Sequence, residues 1–149
     1  MPALLAVGGA LLPLVYLALA IEYGATFFLR TRTHGRTPHL LAVVAVHLGH
    51  LVLWGLETGH APVTATAEIL SVLALATAAV YAWVEGVSRD RRTGVFVLLL
   101  AFLFQYAASF LTAGGPPAAP AEPTAGGAWA ALHVLPPLVA YTALPFAAV

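Results

Sequence analysis

The stretch LLAVVAVHLGHLVLWGL, residues 40–56, decides the fold class of this chain. Its only ionisable side chains are two histidines, His47 and His50. A helix needs about 17 to 25 residues to cross the hydrocarbon core of a bilayer. The length and composition of this stretch therefore favour a transmembrane helix with imidazoles inside the membrane.

Four further apolar runs make five candidate spans, namely Ala3–Leu29, Leu40–Leu56, Ala67–Val84, Val95–Leu111 and Ala128–Val149. The composition agrees, because 61% of the residues are hydrophobic and only 8% are charged, against about a quarter in soluble domains. Lipid cannot satisfy free backbone N–H and C=O groups, so open spans must be helical. We predict a single domain over residues 1–149, an all-α, polytopic membrane helix bundle with five transmembrane helices.

The arginines indicate the orientation. All basic residues lie after the first span (Arg30, Arg32, Arg36) or after the third (Arg89, Arg91, Arg92). The positive-inside rule places both segments in the cytoplasm, and the N-terminus and the segments 57–66 and 112–127 outside. We expect a multi-pass protein of the cell (inner, or cytoplasmic) membrane, with the lipid bilayer as a partner. The net charge of zero gives no indication of nucleic acid, and the absence of cysteine excludes disulfides and thiolate ligands.

A polar stripe runs along the second span. At 100° per residue, His47, His50, Trp54 and Glu57 fall within roughly a quarter of the helix circumference, so this face should turn toward other helices. One interpretation is hydrogen bonding between helices, and the other is haem ligation or proton transfer. The His-x-x-His spacing does not choose between them, and a zinc site would need three or four ligands.

Glu22 is the charged residue inside the first span. It lies seven residues before Leu29, and His47 lies seven residues after Leu40. Both residues would then be about 10 Å from the cytoplasmic boundary. We expect Glu22 at the depth of His47, on a neighbouring helix, where the two side chains could meet.

The outer segments carry further polar residues. In ETGHAPVTATAEILS (57–71), Thr64 or Thr66 is the predicted N-cap of the third helix, and Glu68 lies in its first turn, where a carboxylate suits the helix dipole. In the fifth span His133 follows Trp129 by about one turn, near the outer surface. A hydrogen bond to water, a lipid headgroup or a loop carbonyl explains such a histidine as well as ligand binding does.

These two stretches resemble the CcsA/ResC type of cytochrome c assembly protein and its HemX-like relatives. Gly59-His60-x-Pro62 followed by Glu68-x-Leu70-Ser71 is similar to the family's Gly-His-x-Pro…Glu-x-Leu segment. The fifth span is similar to the family's His-Val…Leu-x-x-Tyr-x-Ala-Leu helix at His133-Val134, Leu138, Tyr141, Ala143 and Leu144. The order of the motifs also agrees, so the resemblance covers most of the chain.

The resemblance implies a membrane protein that holds or delivers haem at the outer face for attachment to apocytochrome c. It makes His133 an axial ligand of the haem iron and places His60 on the haem-facing rim. His47 and His50 match no ligand of the family, and they are further candidates for haem binding on the physical argument of the polar stripe alone. Other cytochrome c assembly membrane proteins and apocytochrome c would be partners, and any reaction would be thioether formation. The family's tryptophan-rich segment and later histidines have no counterpart here, so the chain resembles the N-terminal portion of a longer fold.

Two other functions remain open. One is a HemX-like regulatory or scaffold membrane protein that ligates no haem. The other is a small accessory subunit of a respiratory or photosynthetic complex. Haem content, read from a visible spectrum, would separate the first hypothesis from these two.

Overall fold

The computed structural model describes residues 2–29 and 38–112, together with positions 133, 136, 137, 140 and 142. The two continuous stretches form four α-helices, α1 (Pro2–Phe28), α2 (Pro38–Thr58), α3 (Thr66–Ser88) and α4 (Gly94–Thr112). Each helix is long and apolar enough to cross a membrane. The first four predicted spans are confirmed as helices, with ends that differ from the apolar runs by at most four residues. Most of the fifth predicted span, 128–149, lies outside the described residues.

The four helices pack in a ring. Helix α1 packs against α2 and α4, and α3 packs against the same two helices. Short connections make consecutive helices antiparallel neighbours. We call the end of the bundle that carries residues 89–93 the arginine end, and the end that carries residues 59–65 the histidine end.

In every helix a row of buried positions recurs in alternating steps of three and four residues, a spacing typical of left-handed helix bundles. They are Leu12, Tyr16, Leu19 and Tyr23 in α1; Leu40, Val43, His47 and His50 in α2; Ala67, Ser71, Ala74, Ala78, Tyr81 and Glu85 in α3; and Gly94, Leu98, Ala101, Gln105 and Ala108 in α4. This spacing brings one seam of each helix to the axis of the bundle.

Small residues let the backbones approach closely at the arginine end. A Cβ atom added to Gly94 would overlap the rings of Tyr23 and Tyr81. Ala78 and Ala101 are completely buried on the same seams. Small side chains at helix interfaces are the usual basis of tight packing within membranes, where apolar burial gives no net driving force between helices.

The outward faces are apolar. Large hydrophobic side chains are exposed on all four helices, among them Leu14 and Ile21 of α1, Val46 of α2, Trp83 of α3 and Phe110 of α4. The bundle therefore carries apolar groups on its surface and several polar groups inside. This arrangement fits a lipid bilayer.

Candidate functional site

Both histidines of the α2 stripe lie inside the bundle, as the stripe predicts. His47 is completely buried, and His50 is 7% exposed. Trp54, one turn further along, is half-buried, and its ring meets that of His50 edge to face with centroids 5.8 Å apart. Glu57, at the histidine end, is exposed. The stripe thus runs from the interior of the bundle to the surface at the histidine end.

His47 belongs to a chain of hydrogen bonds that joins all four helices. Its Nδ1 lies 2.8 Å from the Tyr16 hydroxyl of α1, and its Nε2 lies 3.0 Å from Ser71 Oγ of α3. Ser71 in turn donates to Gln105 Oε1 of α4 over 2.9 Å. All four side chains are buried, so their polar atoms depend on one another.

Ser71 fixes the direction of this chain. Its single hydroxyl proton goes to Gln105, so Ser71 accepts its other hydrogen bond from His47. The ring proton of His47 is therefore on Nε2, and Nδ1 accepts from the Tyr16 hydroxyl. A neutral ring satisfies both bonds, whereas a charged imidazole without a counter-ion would be costly at this burial. Both nitrogens of His47 are thus engaged, and no lone pair remains for a metal ion.

The chain continues along α4 and returns to α1. Gln105 Nε2 lies 3.4 Å from Ser109 Oγ. The Ser109 hydroxyl has two acceptors within reach, the carbonyl oxygen of Gly9 at 2.6 Å and that of Gln105 at 2.9 Å, and the shorter bond is the one to Gly9. In an uninterrupted helix the Gly9 carbonyl would accept from the N–H four residues later, but that residue is Pro13, which has none. The proline leaves the Gly9 carbonyl without its helical N–H donor, and lipid has no donor to replace it. Ser109 supplies that hydrogen bond instead.

His50 is the exception to this complete pairing. Its Nε2 is buried and has no hydrogen-bond partner in the described part of the chain. The ring packs against Gly8 so closely that an added Cβ atom would lie 2.7 Å from His50 Nδ1. Glycine at this position thus leaves the space that the imidazole fills. His50, unlike His47, retains a nitrogen for a further interaction.

Glu22 does not lie beside His47, so that prediction is wrong. Its Oε2 lies 3.2 Å from Nδ1 of His39, and the two side chains are 41% and 67% exposed, respectively. The place opposite His47 is taken by Tyr16, six residues before Glu22. Equal distances from the ends of the apolar runs do not make Glu22 and His47 neighbours, because the ends of the runs do not fix the register between the two helices. The actual register pairs Glu22 with the first turn of α2, which begins at Pro38.

Glu68 organises the connection at the histidine end. Its Oε2 accepts from the backbone N–H of Thr64 at 2.8 Å, the Thr64 hydroxyl at 2.9 Å and the Ala65 N–H at 3.1 Å. Glu68 lies in the first turn of α3, as predicted, but the N-cap is Ala65, so the predicted threonine cap is wrong. The carboxylate reaches back and satisfies backbone donors that no cap side chain serves.

His60 lies in the same connection. Its Nδ1 lies 3.0 Å from the Ala61 carbonyl, to which it must donate, so in the neutral ring Nε2 carries the lone pair. The side chain is 20% exposed, and Nε2 lies 4.0 Å from Glu68 Oε1, beyond hydrogen-bond distance. His60 therefore offers a partly accessible nitrogen lone pair, and the segment that holds it is built on Glu68.

His133 has helical backbone and an exposed side chain. The motif positions Val134, Leu138, Tyr141, Ala143 and Leu144 lie outside the described residues. Across the described residues, no three His, Asp or Glu side chains come together as a set that could hold a metal ion. An axial haem ligand needs one imidazole, so this finding does not bear on His133.

A second buried polar cluster lies at the arginine end, where neither the apolar runs nor the polar stripe of α2 predicts one. Glu85, 3% exposed, accepts from the Tyr23 hydroxyl at 2.5 Å and from Arg91 Nε at 3.3 Å. The Arg91 guanidinium also lies over the Tyr23 ring, 5.9 Å from its centroid. The signal that could have found this cluster is the alternation of three and four residues, which places Tyr81 and Glu85 on the buried seam of α3.

Comparison with known proteins identifies no family. The chain matches no protein-family model, no curated protein and no solved structure.

Proposed function

We propose that this protein handles haem at the outer membrane face during cytochrome c maturation. The observation that carries the proposal is the exposed imidazole of His133, on helical backbone, in a stretch that resembles the ligand helix of cytochrome c assembly proteins. An iron ligand must present an accessible nitrogen lone pair. His133 meets the requirement of access, and His60 offers a second partly accessible lone pair.

The two interior histidines differ in whether a ring nitrogen is available to bind haem iron. His47 gives both nitrogens to Tyr16 and Ser71, so it is unsuited to be an iron ligand. Nε2 of His50 is unpaired but closed off from the surface. We therefore assign the haem-holding role to His133, with His60 beside the haem, and a structural role to His47.

The orientation belongs to the same proposal. The arginine end faces the cytoplasm, so the histidine end faces outward, with the N-terminus outside and a fifth span leading from the outer side. The location is the cell (inner) membrane. Exposed apolar helix faces agree with a bilayer, and the arginines of residues 89–93 support this direction.

Bound haem would supply the vinyl groups to which apocytochrome c thiols become attached. The protein's own residues would hold and orient it. The chain has no cysteine, so keeping those thiols reduced would fall to other assembly proteins of the membrane. Apocytochrome c and these proteins are the proposed partners.

A second candidate is a scaffold without haem, of the HemX-like kind. The hydrogen-bond chain through Tyr16, His47, Ser71 and Gln105 favours this candidate. Such a chain fixes the helices relative to one another, and its side chains are engaged with each other and not with a ligand.

Haem content separates the two candidates. The protein is purified from haem-replete cells in its wild-type form and as His133→Ala, His60→Ala and His39→Ala, and the Soret band is measured per mole of protein. We expect His133→Ala to remove most of the band, His60→Ala to weaken it, and His39→Ala, at the arginine end, to leave it unchanged. A full Soret band in His133→Ala would refute the ligand assignment. Absence of haem from the wild type would favour the scaffold.

A further inference from the structure

Two acceptor atoms lie opposite each other at the histidine end, His60 Nε2 and Glu68 Oε1, 4.0 Å apart. The surroundings of Nδ1 determine the tautomer of His60. That nitrogen lies 3.0 Å from the Ala61 carbonyl and 3.4 Å from the hydroxyl of Thr64, whose own proton goes to Glu68 Oε2. Both neighbours are acceptors, so Nδ1 carries the ring proton and Nε2 carries a lone pair. The lone pair therefore meets a carboxylate oxygen, which also accepts and cannot donate.

The backbone on both sides of His60 is anchored. Gly59 has a positive φ of 74°, a conformation that favours glycine, and turns the chain after α2. The turn brings the carbonyl oxygen of His60 so close to Gly55 that a Cβ atom added there would lie 3.2 Å from it. Val63, further along the connection, is buried in an apolar cluster between α2 and α3. The position of the imidazole is thus set by the path of the chain.

Glu68 is held as firmly on the other side of the gap. It is 2% exposed, and its Oε2 accepts three hydrogen bonds from Thr64 and Ala65. Hydrogen bonds donated to a carboxylate favour its ionised form. Oε1 accepts no hydrogen bond within the described residues, and His60 Nε2 is the polar atom that lies next to it.

Acid changes the relation between the two side chains. An imidazole takes up a second proton between about pH 8 and pH 5, a range in which carboxylates stay ionised. In His60 that proton enters at Nε2 and turns the acceptor opposite Glu68 into a charged donor. A charge-assisted N–H···O bond is about 2.7–2.9 Å long, so closing the gap needs a movement of about 1 Å. Two helices adjoin the connection, and their charged groups near it are Glu68 of α3 and Glu57 of α2, which is exposed.

We propose that His60 and Glu68 form a pH-sensitive clasp, which closes in acid and ties the turn after α2 to the first turn of α3. In the open form His60 Nε2 keeps its lone pair, and in the closed form it donates to Glu68 Oε1. The clasp responds to the acidity on the side of the membrane that the histidine end faces. It does not depend on the proposed haem function. Under that function, closing would withdraw the lone pair that His60 offers beside the haem.

The test measures hydrogen exchange of the Thr64 and Ala65 amides in the full chain, in lipid nanodiscs without added haem, at about pH 8 and about pH 5. Each rate is divided by the intrinsic rate at the same pH to give a protection factor. We expect protection to rise about five- to tenfold in acid, because the closed clasp holds Glu68 against these amides. In His60→Gln, which cannot gain a charge, protection should not rise. His39→Gln removes an exposed histidine at the arginine end and should keep the full rise.

Two outcomes of the exchange experiment overturn the proposal. One is equal protection at the two pH values in the wild type. The other is an equal rise in the wild type and in His60→Gln, since a different group would then carry the pH dependence.

NMR of the wild type provides a test that needs no variant. The ring-nitrogen resonances of His60 and the carboxyl-carbon resonance of Glu68 are followed between about pH 8 and pH 5. We expect the Glu68 resonance to shift with the same midpoint as the His60 ring, because one proton serves both groups in the closed clasp. A Glu68 resonance that stays constant while His60 titrates refutes the clasp.

Discussion

The hydroxyl of Ser109 donates a hydrogen bond to the carbonyl oxygen of Gly9, a hundred residues earlier in the chain. Gly9 is four residues before Pro13, so the proline removes the N–H that this carbonyl would otherwise accept. A proline within a membrane helix is tolerated when a neighbouring side chain satisfies the freed backbone group. Helix α4 supplies that side chain to α1.

A double-mutant cycle tests this relationship. Ser109→Ala should destabilise the protein by about 1 kcal/mol, the usual contribution of one hydrogen bond. In a Pro13→Ala background the restored N–H of residue 13 can serve the Gly9 carbonyl, so Ser109→Ala should cost much less there. Stability would be measured by reversible denaturation in detergent micelles. Equal losses in the two backgrounds would contradict the role given to Ser109.

The hydrogen-bond chain through His47 gives a second prediction. His47→Leu leaves the Tyr16 hydroxyl and Ser71 Oγ without their imidazole partner, and we expect a loss of about 1–3 kcal/mol in the free energy of unfolding. His39→Leu is the matched control, because His39 is largely exposed and its pairing with Glu22 should contribute less than about 1 kcal/mol. The same denaturation assay compares the two leucine variants. Equal stability of the two would show that the interior chain contributes little.

The sequence predicts the helices well because the thickness of the hydrocarbon core fixes the length of an apolar span. Apolar runs of about 20 residues are uncommon outside membranes, so four spans follow directly from composition. The burial of His47 and His50 follows from the cost of exposing polar groups to lipid. Span length and the burial of polar groups are properties of one helix at a time, so they can be predicted without knowledge of its neighbours.

Pairing between helices is harder to predict because it depends on register. The sequence-based prediction places Glu22 beside His47, but Tyr16 lies there, six residues nearer the N-terminus. A shift of six residues leaves every apolar run within the membrane, so hydropathy cannot detect it. The alternation of three and four residues could have placed Ser71 and Gln105 on buried seams, since it depends on side-chain periodicity and not on depth.

Close packing at the arginine end gives a third prediction. Gly94→Ala should destabilise the protein by about 1–3 kcal/mol, because the new methyl group overlaps the rings of Tyr23 and Tyr81. Gly49→Ala is the matched control on an exposed face of α2, where an added Cβ meets nothing within 4 Å. We expect it to be neutral or slightly stabilising, because alanine favours helix. Thermal unfolding of both variants would show the difference, and a harmless Gly94→Ala would contradict the packing described.

Glu68 gives a fourth prediction, at the histidine end. Glu68→Ala removes the acceptor of three hydrogen bonds from Thr64 and Ala65, and we expect a loss of about 2 kcal/mol. Hydrogen exchange of the Thr64 and Ala65 amides should accelerate, because those N–H groups lose their partner. Glu57→Ala, which removes an exposed carboxylate of α2, is the control. Unchanged exchange at residues 64 and 65 in Glu68→Ala would rule out the capping role.

The orientation of the bundle is the fifth prediction, and the natural absence of cysteine makes it directly testable. Single cysteines are introduced at Thr33, Ala61, Thr93 and Ala121, and intact cells are treated with a membrane-impermeant maleimide. The arginine segments contain positions 33 and 93, and the positive-inside rule keeps such segments in the cytoplasm. We therefore expect labelling at 61 and 121 only, with 33 and 93 reacting after the cells are permeabilised. Labelling of 33 and 93 in intact cells would reverse the orientation, and it would move His60, which the haem proposal places beside the haem at the outer face, to the cytoplasmic side.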